Sequence, residues 1–278
     1  MELNPPELEL LERLRAQKIR IPPRPQVLHE IEHMLRDENA TERMISQLIG
    51  RDASLTAEIF KLVNSAYYRR AKKIDSLDHA VRILGRRPMG EVTRSVLLRK
   101  QLGENDSRME SFWERCTDIG TICSVLCDHL ENPGGVTSEQ AYLVGLFHDC
   151  GVPVLVAQVK GYGEDALAPG AIPDFLGEDD DKFTSHCIAG VMVAQEWELP
   201  SMLHETTRAH HYAIAAEQPE PHAIAILQLA RHAYARSQGW ENPEWEYHAE
   251  PALRILQLPV EHLDSVMDEA LSSFEVLH

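Results

Sequence analysis

The stretch DASLTAEIFKLVNSAYY (residues 52–68) places Leu55, Ile59, Leu62, Val63 and Ala66 at i, i+4, i+7, i+8 and i+11. That spacing gives one apolar stripe on a helix and cannot serve a half-buried strand, whose period is two. The same period recurs along the chain. It predicts helices over about 26–36, over a segment capped by Thr41, and over one capped by Asp75 or Ser76 that stops at Gly85. Pro88 suits the first turn of a helix over about 88–102. Beyond the polar break GENDSR (103–108), a long helix over about 110–130 ends at NPGG (132–135). Thr137 and Gln140 have capping-box spacing and open the next helix. No β-hairpin signal and no internal repeat interrupts the pattern, so the expected fold class is all-α.

Proline, glycine and charge mark the interruptions. Residues 5–19 form a short charged helix with Leu8, Leu11 and Ile19 apolar, and IPPRP (21–25) is a stiff connector. KGYGEDALAPGAIPDFLGEDDD (160–181) and SQGWENPEWEYHAEP (237–251) read as surface loops. The acidic run 178–181 is expected at the start of a helix reaching about Trp197, where the macrodipole favours it. Helices at about 201–212 and 221–237 follow, then one or two short ones. The expected organisation is an N-terminal segment 1–20, a module 21–240 made of an N-lobe bundle (21–103) and a second lobe (104–240), and a C-terminal tail 241–278.

Charge excludes several function classes. Lys plus Arg number 27 against 44 for Asp plus Glu, a formal charge of −17. Such a surface repels phosphate backbones and anionic lipid, so no nucleic acid and no membrane is expected as partner. The basic segment 72–100 is best read as a solvated helical face, although Lys72, Lys73, Arg86 and Arg87 are an alternative site for a small nucleotide-like ligand. No run of about 18 apolar residues and no signal peptide is seen. The five cysteines contain no C-x-x-C pair, and Cys116, Cys123 and Cys127 share a helical face as small apolar groups. A reduced, cytoplasmic protein is expected.

Chemistry concentrates in the second half. In LVGLFHDCGVPVL, His148 and Asp149 are adjacent at a helix end. His186 heads SHCIAGVMVAQEW, and HETTRAHHY carries His204 and His211 seven apart, with His210 one position round. Metal-activated hydrolysis needs neutral imidazoles and ionised carboxylates converging from several helices, and His148, Asp149, His186, His210 and His211 are the candidates. Each alone reads equally well as a satisfied core or rim histidine.

LVGLFHDCGVPVL resembles the His-Asp element of the HD superfamily of metal-dependent phosphohydrolases. RDASLTAEIFKLVNSAYYRRAKKIDSLDHAVRILGRR (51–87), with NSAYY and I-x-S-L-x-x-A-V-x-x-L-G, resembles the front of the HDOD domain, a bacterial signalling module related to HD and HD-GYP domains. The likeness runs from about Ile21 to about Arg236. It implies a helical bundle lobe packed on an HD-like lobe, and roles in signal transduction, often beside receiver or cyclic-nucleotide domains. Neither neighbour has room here, so a stand-alone, partner-binding regulator is expected, with the cleft near His148, the segment 82–100 or Tyr67 and Tyr68 as candidate surfaces.

The resemblance also marks departures. Cys116 stands where HD-type sites open with His, Val152 where a Lys often follows the doublet, and Arg231 where a final Asp is expected. A cysteine ligates only as thiolate, and a guanidinium has no lone pair to offer. Arg231 therefore puts positive charge where a divalent ion needs negative, so a metal-poor, vestigial site and no cofactor are expected. Arg231 either neutralises Asp149 directly or points to solvent. The alternative is a phosphohydrolase or phosphodiesterase with zinc, manganese or iron on His148, Asp149, His186, His210 and His211.

Overall fold

The computed structural model describes residues 3–37, 39–64, 74–103, 109–162, 185–212 and 214–277. Every regular element among them is a helix, so the chain is all-α. The chain divides into a small unit, Pro22–Glu104 with the final pair 277–278, and a large unit, Met1–Ile21 with Asn105–Val276.

The small unit holds α2 (Gln26–Arg36), α3 (Glu42–Ile49), α4 (Ala53–Val63), α5 (Leu77–Leu84) and α6 (Arg86–Gln101). Local chemistry sets their ends. Thr41 caps α3, Asp52 caps α4 through Ser54 and Leu55, and Ser76 caps α5. Gly85, at φ 88°, closes α5 and opens α6 in one residue. This is why α6 starts before Pro88, two residues ahead of the sequence expectation. The core is apolar: Leu28, Ile31, Ile45, Ile49, Leu55, Ile59, Val81 and Leu98 are all but fully buried. Asn64 of the NSAYY element accepts from the Ile74 N–H and donates to the Ile74 and Phe60 carbonyls. The rest of that element, Tyr67 and Tyr68 included, and the Lys72–Lys73 pair lie outside the described residues.

The large unit begins with α1 (Pro5–Ala16) and continues with α7 (Glu110–His129), α8 (Ser138–Phe147), α9 (Gly151–Gln158), α10 (His186–Glu196), α11 (Ser201–Ala209), α12 (Pro221–Gln238), α13 (Trp245–Leu256) and α14 (Val260–Leu277). Here α1 packs on α10, and Glu7 receives the Arg208 guanidinium of α11. The first residues thus belong to this body rather than standing apart. Two glycines let α7 and α8 meet closely, since a Cβ on Gly145 would lie 2.5 Å from the Gly120 Cα. The capping box at Thr137 and Gln140 is formed in both directions.

Three elements differ from expectation. Helix α10 starts at His186 under a Ser185 cap, and the acidic run 178–181 lies outside the described residues. The stretch Ser138–Gln158 is long and apolar enough to cross a membrane, but it turns at residues 148–150 and 78% of its apolar window is buried in the core. The supposed loop 237–251 contains the start of α13, which runs through Pro251. Proline inside a helix forfeits a hydrogen bond and costs roughly 3 kcal/mol. Burial of His248, Ala252 and Leu256, on a helix packed against α12, offsets that cost.

Candidate functional site

The ends of four helices and one helix interior bring the ionisable groups together in the large unit. His148 is the C-cap of α8, Asp149 follows in the turn to α9, and His186 and Cys187 open α10. His210 is the C-cap of α11, and Arg231 lies mid-way along α12. The chain leaves the helix at His210, so His211 swings into the centre instead of sharing a face with His204.

Asp149 is almost fully buried, with imidazoles on both oxygens. His148 Nε2 lies 3.1 Å from Oδ2, while His210 Nε2 at 3.1 Å and His186 Nε2 at 3.4 Å face Oδ1. Burial alone would push this carboxyl up, but the His148 charge and the surrounding ring nitrogens hold it well below the usual carboxylate range. His210 is fully buried, and that burial takes its pKa down to about 4 against the pull of Asp149. His211 is held well below the ordinary histidine value by burial and by neighbouring His210. Both rings are therefore neutral near pH 7, with one proton each.

Outer partners fix where those protons sit. His210 Nδ1 faces the Thr206 and Thr207 carbonyls at 3.1 and 3.0 Å, and His211 Nδ1 faces both Glu244 oxygens at 2.9 and 3.0 Å. All are acceptors, so Nδ1 carries the proton and Nε2 turns a lone pair inward. His211 Nε2 then lies 3.0 Å from His186 Nε2, which is 3.4 Å from His210 Nε2. One donor atom from each of His186, Cys187, His210 and His211 lies within 4.8 Å of the others, a grouping that could hold a divalent cation, with the outer carboxylate and carbonyls orienting the rings.

Arg231 follows neither course expected from sequence. It is buried, and its carboxylate is Glu244 rather than Asp149: Nη1 to Oε2 is 2.7 Å and Nη2 to Oε1 is 3.5 Å. Burial would raise the Glu244 carboxyl, but the Arg231 charge and bonds from His211 and His248 hold it far below its usual range. Thus the positive charge introduced at 231 is cancelled locally. Asp149 is met by imidazoles, and Arg231 reaches it only through charge.

Of the other expected site residues, Cys116 is buried in α7 near Tyr234 of α12 and is not among the grouped donors. Val152 is buried core in α9. Sequence reasoning missed two participants: Glu244, which fell in an assumed loop, and Cys187, whose neighbour His186 was considered without it. The basic residues Arg86 and Arg87 belong to the small unit, where with Arg36, Arg94 and the acids Glu32, Asp37 and Glu91 they line a cleft of about 680 Å³.

Known proteins agree with this architecture. The model of the HDOD domain matches residues 21–213. The chain belongs to the HDOD domain family. Arg231 and Glu244 lie beyond the matched part of this HDOD protein. A relative from Treponema pallidum (strain Nichols), itself uncharacterised, is 26% identical over 222 residues, covering 76% of this chain and 41% of the relative. The chain therefore spans about two fifths of that relative's length. Among solved structures, a provisionally assigned metal-dependent phosphohydrolase from Shewanella amazonensis SB2B superposes with a TM-score of 0.67 at 18% identity, covering 98% of this chain and 99% of the other. An HDOD domain protein of unknown function from Geobacter sulfurreducens gives 0.64 at 22% identity, with 98% and 99% covered. A provisionally assigned signal transduction protein from Marinobacter aquaeolei VT8 gives 0.67 at 17% identity, with 98% and 64% covered. At these identities the likeness establishes the fold.

Proposed function

We propose that this HDOD protein is a non-catalytic regulatory module that acts by binding a protein partner. Its buried histidine centre is a structural element rather than a hydrolytic one. The observation that carries this reading is enclosure: His148, Asp149, His186 and His210 are exposed by only 1%, 4%, 1% and 0%. Hydrolysis at a metal needs an open coordination position and room for a phosphoester beside it. These four lie behind helix ends and the Arg231–Glu244 pair, with His211 part-buried beside them. The net charge of −17 favours a protein partner over nucleic acid or an anionic membrane.

The second reading, a metal-dependent phosphohydrolase, is favoured by the retained His148–Asp149 doublet and the inward lone pairs. When bound, a divalent ion would supply an acidified water as nucleophile. The experiment that separates them loads the purified chain with zinc, manganese or iron in turn and measures hydrolysis of a generic aryl phosphate. Turnover no greater than that of Asp149→Ala is expected. Turnover well above that variant would overturn the regulatory reading.

A further inference from the structure

Deepening the structural role given to the centre above, we infer that Cys187 is a ligand of a closed three-histidine, one-thiolate metal site with His186, His210 and His211, and that the site takes a thiophilic ion such as zinc. The HD-type pattern has no place for this cysteine; the geometry supplies it.

Three observations lead there. First, one donor atom from each of His186, Cys187, His210 and His211 lies within 4.8 Å of every other, and the residues are buried or nearly so. Asp149 reaches two of these rings, but His148 holds its other oxygen, so it acts from the flank. Second, the spacings around His186 match those of a tetrahedral shell. Bonds of about 2.0–2.1 Å to nitrogen and 2.3 Å to sulfur imply N···N edges of about 3.3 Å and N···S edges of about 3.6 Å. The three edges that meet at His186 Nε2 are 3.4 Å (to His210 Nε2), 3.0 Å (to His211 Nε2) and 3.6 Å (to Cys187 Sγ).

Third, outer partners aim two rings at the same point: the Thr206 and Thr207 carbonyls hold His210 Nδ1 and Glu244 holds His211 Nδ1, which turns both Nε2 atoms toward Cys187 and His186. On binding, the thiol proton leaves to solvent and the sulfur lone pair goes to the metal, with no change of oxidation state. Four protein donors leave no open position, as a structural zinc site requires and a hydrolytic one does not.

Cobalt(II) titrated into the full-length, metal-stripped chain tests the assignment, because a cobalt–thiolate bond gives a near-ultraviolet charge-transfer band that imidazole and carboxylate ligation do not. The expected result is that band, at one cobalt per chain, present in the wild type and in Asp149→Asn and absent from Cys187→Ser. Zinc affinity, read by competition with a chromophoric chelator, should fall by at least about 100-fold in Cys187→Ser, since losing even an outer-shell partner costs about 10–100-fold. Far-UV circular dichroism establishes that the variant is folded; Cys187→Ala, read the same way, replaces it if it is not. No cobalt uptake, cobalt without the sulfur band, or a band that survives Cys187→Ser overturns the inference while leaving the regulatory reading intact. Aryl phosphate turnover by the loaded protein overturns the regulatory reading and leaves the ligand assignment to the spectrum.

Discussion

The two units bury different things. Among the described residues of the small unit, Glu32 is the buried ionisable side chain, and Arg24 and Arg94 meet both its oxygens near the surface. The large unit buries Glu7, Arg115, His148, Asp149, His186, Glu205, His210, Arg231, Glu244 and His248. One body is an apolar core with capped helices, the other an apolar shell around a charged interior. Buried charge is tolerated only where each group has its partner, so the large unit is the less forgiving of substitution.

The strongest test of that contrast is Glu244→Ala. It leaves the Arg231 guanidinium buried without its carboxylate and takes the proton acceptor from His211. Breaking one side of a buried pair costs about 3–5 kcal/mol. Chemical denaturation should show that loss, and the double change Arg231→Met with Glu244→Leu should recover most of it, because well-packed apolar replacements of buried pairs are near neutral. A loss under about 1 kcal/mol for the single change would mean that water already reaches Arg231, and the contrast between the units would collapse.

A pair of glycine substitutions sharpens the same point through packing. A Cβ on Gly151 would run into the His186 carbonyl oxygen and lie 2.5 Å from the Gly190 backbone nitrogen. Both obstacles are main chain, and one belongs to His186 of the buried histidine centre. Gly151→Ala should cost about 3 kcal/mol, the upper end of ordinary overpacking. In the small unit, a Cβ on Gly90 meets only the side-chain end of Leu35. That leucine can turn aside, and alanine gains about 0.5–1 kcal/mol over glycine inside a helix, so Gly90→Ala should stay within about 1 kcal/mol of the parent. Equal costs by thermal melting would show that the large unit's interior is as adjustable as the small one's.

The same division governs what could be read from sequence. Caps such as Thr41, Ser76 and Thr137 are local, with donor and acceptor three residues apart, and the apolar period does not depend on distant contacts. The all-α class and most helix positions follow from them. The gathering of His148, Asp149, His186, His210 and His211 was legible as residue types on successive helices. What Arg231 does was not, because its partner comes from α13. That helix contains Pro251 and is announced by Gly, Asn and Pro, all signals of a loop. Only packing on α12 makes it helical. Cys187 stayed hidden for a different reason: adjacent residues on a helix normally point about 100° apart. At the first turn of α10 both His186 and Cys187 nevertheless send a donor into one pocket.

The smaller of the two predicted polar losses lies in the small unit, at Asn64, and it bears on how local that unit is. Its side chain links the end of α4 to Ile74 across ten residues of sequence, accepting from the Ile74 N–H and donating to the Ile74 and Phe60 carbonyls. Asn64→Ala removes these bonds, leaving part-buried backbone groups that water can partly satisfy, for a cost of about 1–2 kcal/mol. Asn64→Asp keeps the acceptor for Ile74 N–H but loses both donations, so it should fall between alanine and the parent. Hydrogen exchange at the Ile74 amide reads the bond directly: protection should drop in the alanine variant and persist in the aspartate one. If Asn64→Ala instead destabilised as strongly as Glu244→Ala, the small unit would also depend on a long-range polar tie, and helix caps with apolar periodicity would not suffice to explain it.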